Sequence, residues 1–110
     1  MKIVYIAHPV SGNIKENVDR IISIVRFINL TMPDIIPFAP YIVDCLALDD
    51  INELERDRGI KNDVALLKAG FISEMWLYGD RISVGMKNEI EIAKKMKIKV
   101  VSKSEGTKEP

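Results

Sequence analysis

The sequence predicts an α/β fold in three layers, with an open parallel sheet of about four to five strands and helices on both faces. Short runs of β-branched and aromatic residues alternate with longer segments whose apolar residues recur at helical spacing, in the order β-α-β-α-β-α-β. This alternation favours parallel strands, because each helix carries the chain back across the sheet before the next strand begins. The chain has 110 residues, which suits a single domain of this class.

The first strand and the first helix are the clearest elements. Residues 2–7 (KIVYIA) are almost continuously apolar, as expected of a strand that is covered on both faces. Residues 8–13 (HPVSGN) are rich in turn formers, and Asn13 is placed to cap a helix that begins at Ile14. Pro33 lies just past the expected end of that helix. The apolar stripe of the helix comprises Ile14, Val18, Ile21, Ile22, Val25 and Ile28.

The middle of the chain is less regular. Residues 35–40 (IIPFAP) predict a brief strand, because their prolines do not suit a long central strand. Residues 41–53 fit either a helical turn or a loop that covers a ligand site. A helix is expected from about Ile51 to Ala69, with Gly70 as its C-cap. The apolar stripe of this helix consists of Leu54, Ile60, Val64 and Leu67.

The last part of the chain predicts a strand, a helix and a final strand. The third strand covers residues 71–79, a loop covers 80–85, and the fourth strand covers 98–101. The helix between them carries an apolar stripe of Met86, Ile90, Ala93 and Met96. We expect one flavodoxin-like or Rossmann-like domain over residues 1–103, followed by a flexible polar tail over 104–110.

Composition and charge argue against several classes of protein. The 16 basic and 16 acidic residues cancel, which argues against binding to a nucleic acid polymer. No apolar run approaches the roughly 20 residues that cross a membrane, and the apolar N-terminus is too short for a signal peptide. The single cysteine, Cys45, cannot form an internal disulfide and fits a reducing compartment. We therefore expect a cytoplasmic protein that does not associate with membranes.

The expected ligand site lies at the carboxyl ends of the strands, where open parallel sheets bind ligands near a switch in strand order. Residues 8–13 and 79–85 form the two loops at that edge. The sequence contains no P-loop, no G-x-G-x-x-G fingerprint, no G-x-S-x-G elbow and no His/Cys cluster with metal spacing. With these motifs absent, the remaining candidate chemistry is that of carboxylates beside a helix N-terminus. We expect neither a metal nor an organic cofactor.

Two acidic residues lie on apolar helix faces. Glu89 shares its face with Met86 and Ile90, and Asp63 repeats this pattern on the preceding helix. A carboxylate on a buried stripe is costly unless it is paired or functional. Two of them beside one strand suggest an acid/base pair or a clamp on sugar hydroxyls. In the structural alternative, Glu89 reaches water at the edge of its stripe and Asp63 forms a salt bridge. The basic residues near Asp63 in sequence are Arg58, Lys61 and Lys68.

Small polar residues occur in both loops of the expected ligand edge. Ser83 and Gly85 open the last helix, where a serine is usually the N-cap but where the helix N-terminus can also hold an anion. The first loop adds His8, Ser11 and Gly12 as candidate ligand-binding groups. A single histidine at a strand end is more often a structural hydrogen-bonding group than a catalyst, and no Ser or Cys nucleophile is marked out beside His8.

Three stretches resemble the nucleoside 2-deoxyribosyltransferase-like superfamily, especially its small phage and bacterial members of unassigned role. They cover residues 4–13, 62–80 and 81–101, and the last contains the most specific pattern, S-x-G-M-x-x-E-I-x-x-A. The superfamily includes transferases that move 2-deoxyribose between bases, and hydrolases that cut the glycosidic bond of 2′-deoxynucleoside 5′-monophosphates. The resemblance implies that the ligand is a nucleoside or nucleotide.

The resemblance also implies a role for individual residues. Glu89 matches the glutamate that attacks the anomeric carbon of the sugar and forms a glycosyl ester. Asp63 matches the aspartate that protonates the departing base or positions the substrate, and Tyr5 matches the tyrosine that orients the glutamate. Ser83 matches the phosphate-binding serine of the hydrolases, which favours a phosphorylated substrate.

Several departures from the superfamily pattern keep other functions open. The first loop reads His8-Pro9-Val10-Ser11-Gly12 in place of the Ser/Arg set of the hydrolases. A non-catalytic module that binds or sequesters a nucleotide is therefore an alternative. A glycosidase of the NAD type is another, because fold relatives cut the nicotinamide glycosidic bond. Relatives complete their site across a dimer interface, so we expect a homo-oligomer. Either the helix of Ile14–Ile28 or the segment Tyr41–Leu48 would supply its contacts.

Overall fold

The computed structural model describes residues 1–108 and confirms the predicted α/β fold. The strands are β1 (Lys2–Ala7), β2 (Ile35–Phe38), β3 (Glu74–Leu77) and β4 (Lys99–Ser102). The helices are α1 (Ile14–Thr31), α2 (Tyr41–Ala47), α3 (Glu53–Leu67) and α4 (Val84–Lys95), and a 3-10 turn covers Glu105–Thr107. All strand pairs are parallel, and the four strands of the sheet lie in the order β2-β1-β3-β4.

The strand order creates a switch point between β1 and β3. From β1 the chain moves outward to β2, whereas from β3 it moves outward to β4 on the other side. The loops that follow β1 and β3 therefore diverge and leave a crevice at the carboxyl edge of the sheet. β2 is an edge strand, and its Pro37 lies opposite Val4 of β1.

Alternate residues of β1 point into two separate apolar layers. Tyr5 and Ala7 pack with residues of α3 and α4, whereas Val4 and Ile6 pack with residues of α1. All four side chains are fully buried. Helices therefore cover both faces of the sheet, which explains the nearly continuous apolarity of the first strand.

The predicted helix starts agree with the structure. The Asn13 side chain accepts a hydrogen bond from the Glu16 backbone N–H at 3.1 Å and caps α1. The Ser83 side chain accepts one from the Met86 backbone N–H at 3.3 Å and caps α4. The predicted C-cap Gly70 was wrong, because α3 ends at Leu67 and Lys68 is its C-cap.

The predicted apolar stripe of α3 was wrong over its first half. Leu54 and Ile60 are exposed, at 82% and 53%, whereas Leu67 is fully buried. Within α3, the buried residue is Leu67 at its end, so only this end of the helix reaches the core. The ambiguous segment after β2 is the helix α2, which packs against α3 near Gly59. A Cβ added at Gly59 would lie 3.6 Å from Leu48 Cδ1, so this helix contact has room for little more than a methyl group.

The residues after β4 differ from the predicted flexible tail. Residues 104–108 fold back on the sheet, and Thr107 is fully buried. The rest of the predicted tail, residues 109–110, lies outside the described residues. Within residues 1–108, no helix has both the length and the apolarity that crossing a membrane requires.

Candidate functional site

A cavity of about 810 Å³ opens at the carboxyl edge of the sheet. The loop after β1, the helix α2, the middle of α3 and the start of α4 form its walls. The predicted residues His8, Ser11, Asp63, Ser83, Gly85 and Glu89 all line it. The fold therefore brings together candidates from three separate parts of the chain, at the switch point where a ligand is expected.

Tyr5 lies below the cavity and joins the two acidic residues. Its hydroxyl oxygen is 2.7 Å from Asp63 Oδ1 and 2.8 Å from Asp63 Oδ2, and it also donates to Glu89 Oε2. The ring itself is fully buried in β1. The three side chains come from β1, α3 and α4, and Tyr5 fixes the distance between the two carboxyl groups. We call Tyr5, Asp63 and Glu89 the carboxylate cluster.

The ionisation of the carboxylate cluster follows from its burial. Desolvation raises the pKa of Glu89 well above its usual value, the neighbouring Asp63 raises it further, and the hydrogen bond from Tyr5 opposes this shift. Burial also raises the pKa of Tyr5, and the two carboxyl groups add to that effect. Tyr5 has one hydroxyl proton and cannot serve both carboxyl groups at once. Burial and the neighbouring carboxyl group therefore favour the protonated form of Glu89.

The salt bridge considered for Asp63 does not form among the described residues. Asp63 accepts from Tyr5, and no ion pair within residues 1–108 joins it to Arg58, Lys61 or Lys68. Arg58 instead donates from Nε to Asn62 Oδ1 at 3.2 Å. The Glu89 carboxyl is likewise directed at Tyr5 and not into bulk water. Both groups are thus part of the cavity floor.

The start of α4 forms the wall beside Glu89. Ser83 caps the helix, so the structural interpretation of this serine holds, and its side chain also lines the cavity. Gly85 is exposed, and an added Cβ there would meet Ser83 Oγ only at 4.0 Å. Arg81 adds a positive charge to the same wall. Free backbone N–H groups and a cation at this position suit an anionic group.

The first loop is held in place by buried hydrogen bonds. His8 is buried, its Nδ1 lies 2.7 Å from Pro9 O, and burial lowers the pKa of the imidazole, which favours the neutral ring. Asn17 donates from Nδ2 to Val10 O at 2.9 Å. Gly12 has a φ of +102° and is not part of the cavity wall, so its place in the structure is a turn and not a ligand contact.

Tyr41 is a site residue that sequence reasoning did not identify. Because β2 ends at Phe38, the Ile6 carbonyl of β1 has no strand partner, and the Tyr41 hydroxyl donates to it. The Tyr41 ring lies 5.8 Å from the Tyr5 ring and also lines the cavity. No pattern in the sequence around Tyr41 indicates this contact.

Cys45 lies on the same wall but is not a reactive thiol. Burial and the surrounding carboxylates, including Asp50 and Asp44, raise its pKa to about 11. A thiol that stays protonated at neutral pH is a poor nucleophile. Within residues 1–108, no group of three or more His, Cys, Asp or Glu side chains is arranged to hold a metal ion.

The fold and this site define an α/β protein with a buried tyrosine–carboxylate cluster below a cavity at the switch point of a parallel sheet. The chain belongs to the family described as a domain of unknown function, DUF7768, whose model matches residues 2–103. Searches of curated proteins and of solved structures found no match.

Proposed function

We propose that the protein acts on the N-glycosidic bond of a 2′-deoxynucleoside or its 5′-monophosphate, as an N-hydrolase or a deoxyribosyltransferase. The observation that carries the proposal is the contact of Glu89 and Asp63 with one Tyr5 hydroxyl at the floor of a nucleotide-sized cavity. The similarity of the sequence to the nucleoside 2-deoxyribosyltransferase-like superfamily supports it. The substrate is a small molecule, and the single thiol fits a reaction in the cytoplasm.

In the proposed first step, Glu89 and Asp63 share one proton. The proton moves from Glu89 to Asp63, which leaves Glu89 ionised. A Glu89 oxygen then bonds to C1′ as the C1′–N bond breaks, through an oxocarbenium-like transition state. The bond pair goes to the base, and Asp63 donates the proton to the base nitrogen. The products of this step are the free base and a glycosyl ester on Glu89.

The second step restores the carboxylate cluster. Water attacks C1′, Asp63 accepts its proton, and Glu89 leaves as a carboxylate. In a transferase, a second base takes the place of water at C1′. Both routes replace the base with retention of configuration, because two inversions occur at the same carbon.

The spacing of the carboxyl groups favours this two-step route over direct attack by water. Inverting glycosidases hold their carboxyl groups roughly 6.5–9.5 Å apart, which leaves room for a water molecule between carboxylate and sugar. Here both groups contact the same hydroxyl oxygen. A gap for a catalytic water is absent between these two side chains, so the carboxylate itself is the nucleophile in our proposal.

The start of α4 is placed to hold the 5′ end of the substrate. Ser83, Gly85 and Ser11 face the cavity, and Ser83 precedes Glu89 by nearly two helical turns. Arg81 supplies a cation on the same side. This arrangement favours a 5′-phosphate over a free 5′-hydroxyl.

A panel of deoxynucleosides and their 5′-monophosphates tests the proposal. We expect release of the free base, measured by chromatography, and exchange of bases if a second base is added. Binding of nucleotides without base release would instead support the non-catalytic nucleotide-binding module, and nicotinamide release from NAD would support the NAD-type glycosidase. Ribonucleotides are the matched control, since their 2′-hydroxyl destabilises the oxocarbenium-like transition state.

We also propose that the protein forms homo-oligomers through α2. Val43 and Leu46 of α2 are 69% and 66% exposed and do not line the cavity, whereas Val84 of α4 is 78% exposed on the cavity wall. Neighbouring exposed apolar side chains on one helix face mark an interaction surface. α1 also exposes apolar residues, among them Leu30, but on the opposite face of the sheet from the cavity.

Sedimentation at micromolar concentration checks this prediction. We expect a dimer or larger species that Leu46→Asp converts to monomers, by a shift of at least about tenfold in the dissociation constant. Leu30→Asp is the control, with the same chemical change on α1, and should sediment as the unchanged protein does. A monomeric unsubstituted protein, or dissociation by Leu30→Asp alone, would contradict an α2 interface.

A further inference from the structure

The residues that follow β4 contact the loop that leads to the candidate site. Ser104 Oγ accepts a hydrogen bond from the Gly79 backbone N–H at 3.2 Å. Thr107 is fully buried, and its hydroxyl oxygen lies 3.2 Å from Leu77 O and 2.8 Å from Ser102 Oγ. We call Ser104–Thr107 the brace. Its polar groups hold the end of β3 and the first residues after it.

Gly106 brings the brace into direct contact with the loop backbone. An added Cβ at Gly106 would lie 2.1 Å from Asp80 O and 2.8 Å from Asp80 Cα. These are backbone atoms and cannot rotate away as a flexible side chain would. Any side chain at position 106 must therefore displace either the brace or the Asp80 peptide.

The same loop is in close contact with the first loop on its other side. Gly79 has a φ of +109°, and an added Cβ there would lie 2.6 Å from Pro9 Cδ. His8 Nε2 would be 3.6 Å from that atom. The Gly79–Asp80 segment thus lies between the brace and the loop that carries His8. Ser83, the N-cap of α4, lies three residues after Asp80.

We propose that the brace is a positioning element for the candidate site, which fixes the loop after β3 and thereby the place of Ser83 relative to the first loop. This inference rests on the proposed function. Tyr5, Asp63 and Glu89 belong to β1, α3 and α4, and the hydrogen bonds of the brace described above go to other residues. We therefore expect loss of the brace to weaken binding of the 5′ end of the substrate and to leave the rate of the chemical step unchanged.

Kinetic constants of brace variants test the proposal with a 5′-monophosphate substrate. We expect Gly106→Ala and Thr107→Val to raise KM by about tenfold and to change kcat by less than about twofold. Thr107→Ser keeps the hydroxyl and should restore KM. Glu105→Ala is the control, because the Glu105 side chain is 88% exposed and pairs with Lys108. A lowered Tm with an unchanged KM in Gly106→Ala would show a merely structural role and overturn the proposal.

Amide hydrogen exchange in the absence of substrate provides a readout that does not depend on activity. We expect Gly106→Ala to speed exchange by about tenfold at Gly79–Met86 and to leave α1 unchanged. If the unsubstituted protein releases no base, the proposed function fails, and the exchange pattern still decides whether the brace orders this loop. Uniformly faster exchange over the whole sheet, or no change at Gly79–Met86, would overturn the positioning role.

Discussion

Replacing Glu89 with glutamine is expected to reduce base release by at least about 10³-fold and to leave nucleotide binding within about threefold. Glutamine has the shape of the protonated glutamate and can still hydrogen-bond Tyr5 and Asp63, but it cannot bond to C1′ and leave again. Initial rates of base release and calorimetric binding of the same deoxynucleotide measure the two quantities. Unchanged base release in Glu89→Gln would rule out Glu89 as the nucleophile.

The same variant has an expected effect on stability that depends on pH. Because burial and Asp63 raise the pKa of Glu89 in the folded protein, its stabilising contribution is fully present below the unfolded-state value of 4.5. This contribution is lost as the pH rises through the folded-state pKa. Glutamine does not titrate, so Glu89→Gln should raise Tm at pH 8 by about 2–5 °C and match the unsubstituted protein near pH 4. Glu91→Gln, on the exposed face of the same helix, is the control and should show no such difference.

Replacing Asp63 with asparagine is expected to lower kcat for natural substrates by about 10²–10⁴-fold. Asparagine can accept the hydrogen bond from Tyr5 but cannot carry the proton to the departing base. Substrates whose leaving group needs no proton, such as a nitrophenyl 2-deoxyriboside, should lose less than about tenfold. An equal loss with both kinds of leaving group would show that Asp63 positions the sugar and is not the acid.

The pH dependence of Asp63→Asn separates these two roles further. Asp63 raises the pKa of Glu89, so in Asp63→Asn, where no proton is shared, kcat/KM should rise with pH through a Glu89 pKa that is lower than in the unsubstituted protein. In the unsubstituted protein, loss of the shared proton should make kcat/KM fall at high pH. Tyr5→Phe is the matched comparison, since the Tyr5 hydrogen bond lowers the pKa of Glu89 and its loss should move this fall to higher pH. If both variants shifted the pKa of Glu89 in the same direction, this would contradict the hydrogen-bonding pattern of the carboxylate cluster.

The sequence predicts the strands and helices well because each of them depends on residues that are close together in the chain. The apolar run of β1 and the caps Asn13 and Ser83 act within a few residues of the chain, and the structure places them as expected. Glu89 and Asp63 are visible as carboxylates on apolar stripes. The sequence does not show that both carboxylates contact Tyr5. Tyr5 and Asp63 are 58 residues apart in the chain, and only the packing of helices on the sheet brings them together.

The features that the sequence does not reveal all depend on tertiary contacts. Leu54 and Ile60 have helical spacing, but both are exposed, because α2 and not the sheet packs against this part of α3. Thr107 lies in a polar segment that resembles a frayed end, yet it finds partners on β3 that are about 30 residues away. Tyr41 is recruited because β2 stops early, which no pattern around Tyr41 itself indicates.

The open edge of β2 affects how copies of this chain can meet. Residues 35 and 37 alternate with those that bond β1 and so turn their backbone outward. The Ile35 N–H already donates to Met32 O at 3.1 Å, and Pro37 has no N–H at all. A strand from another molecule would find no amide donor there along this side, which blocks sheet-to-sheet growth into aggregates. At the β2 edge, self-association is thereby restricted to contacts between side chains.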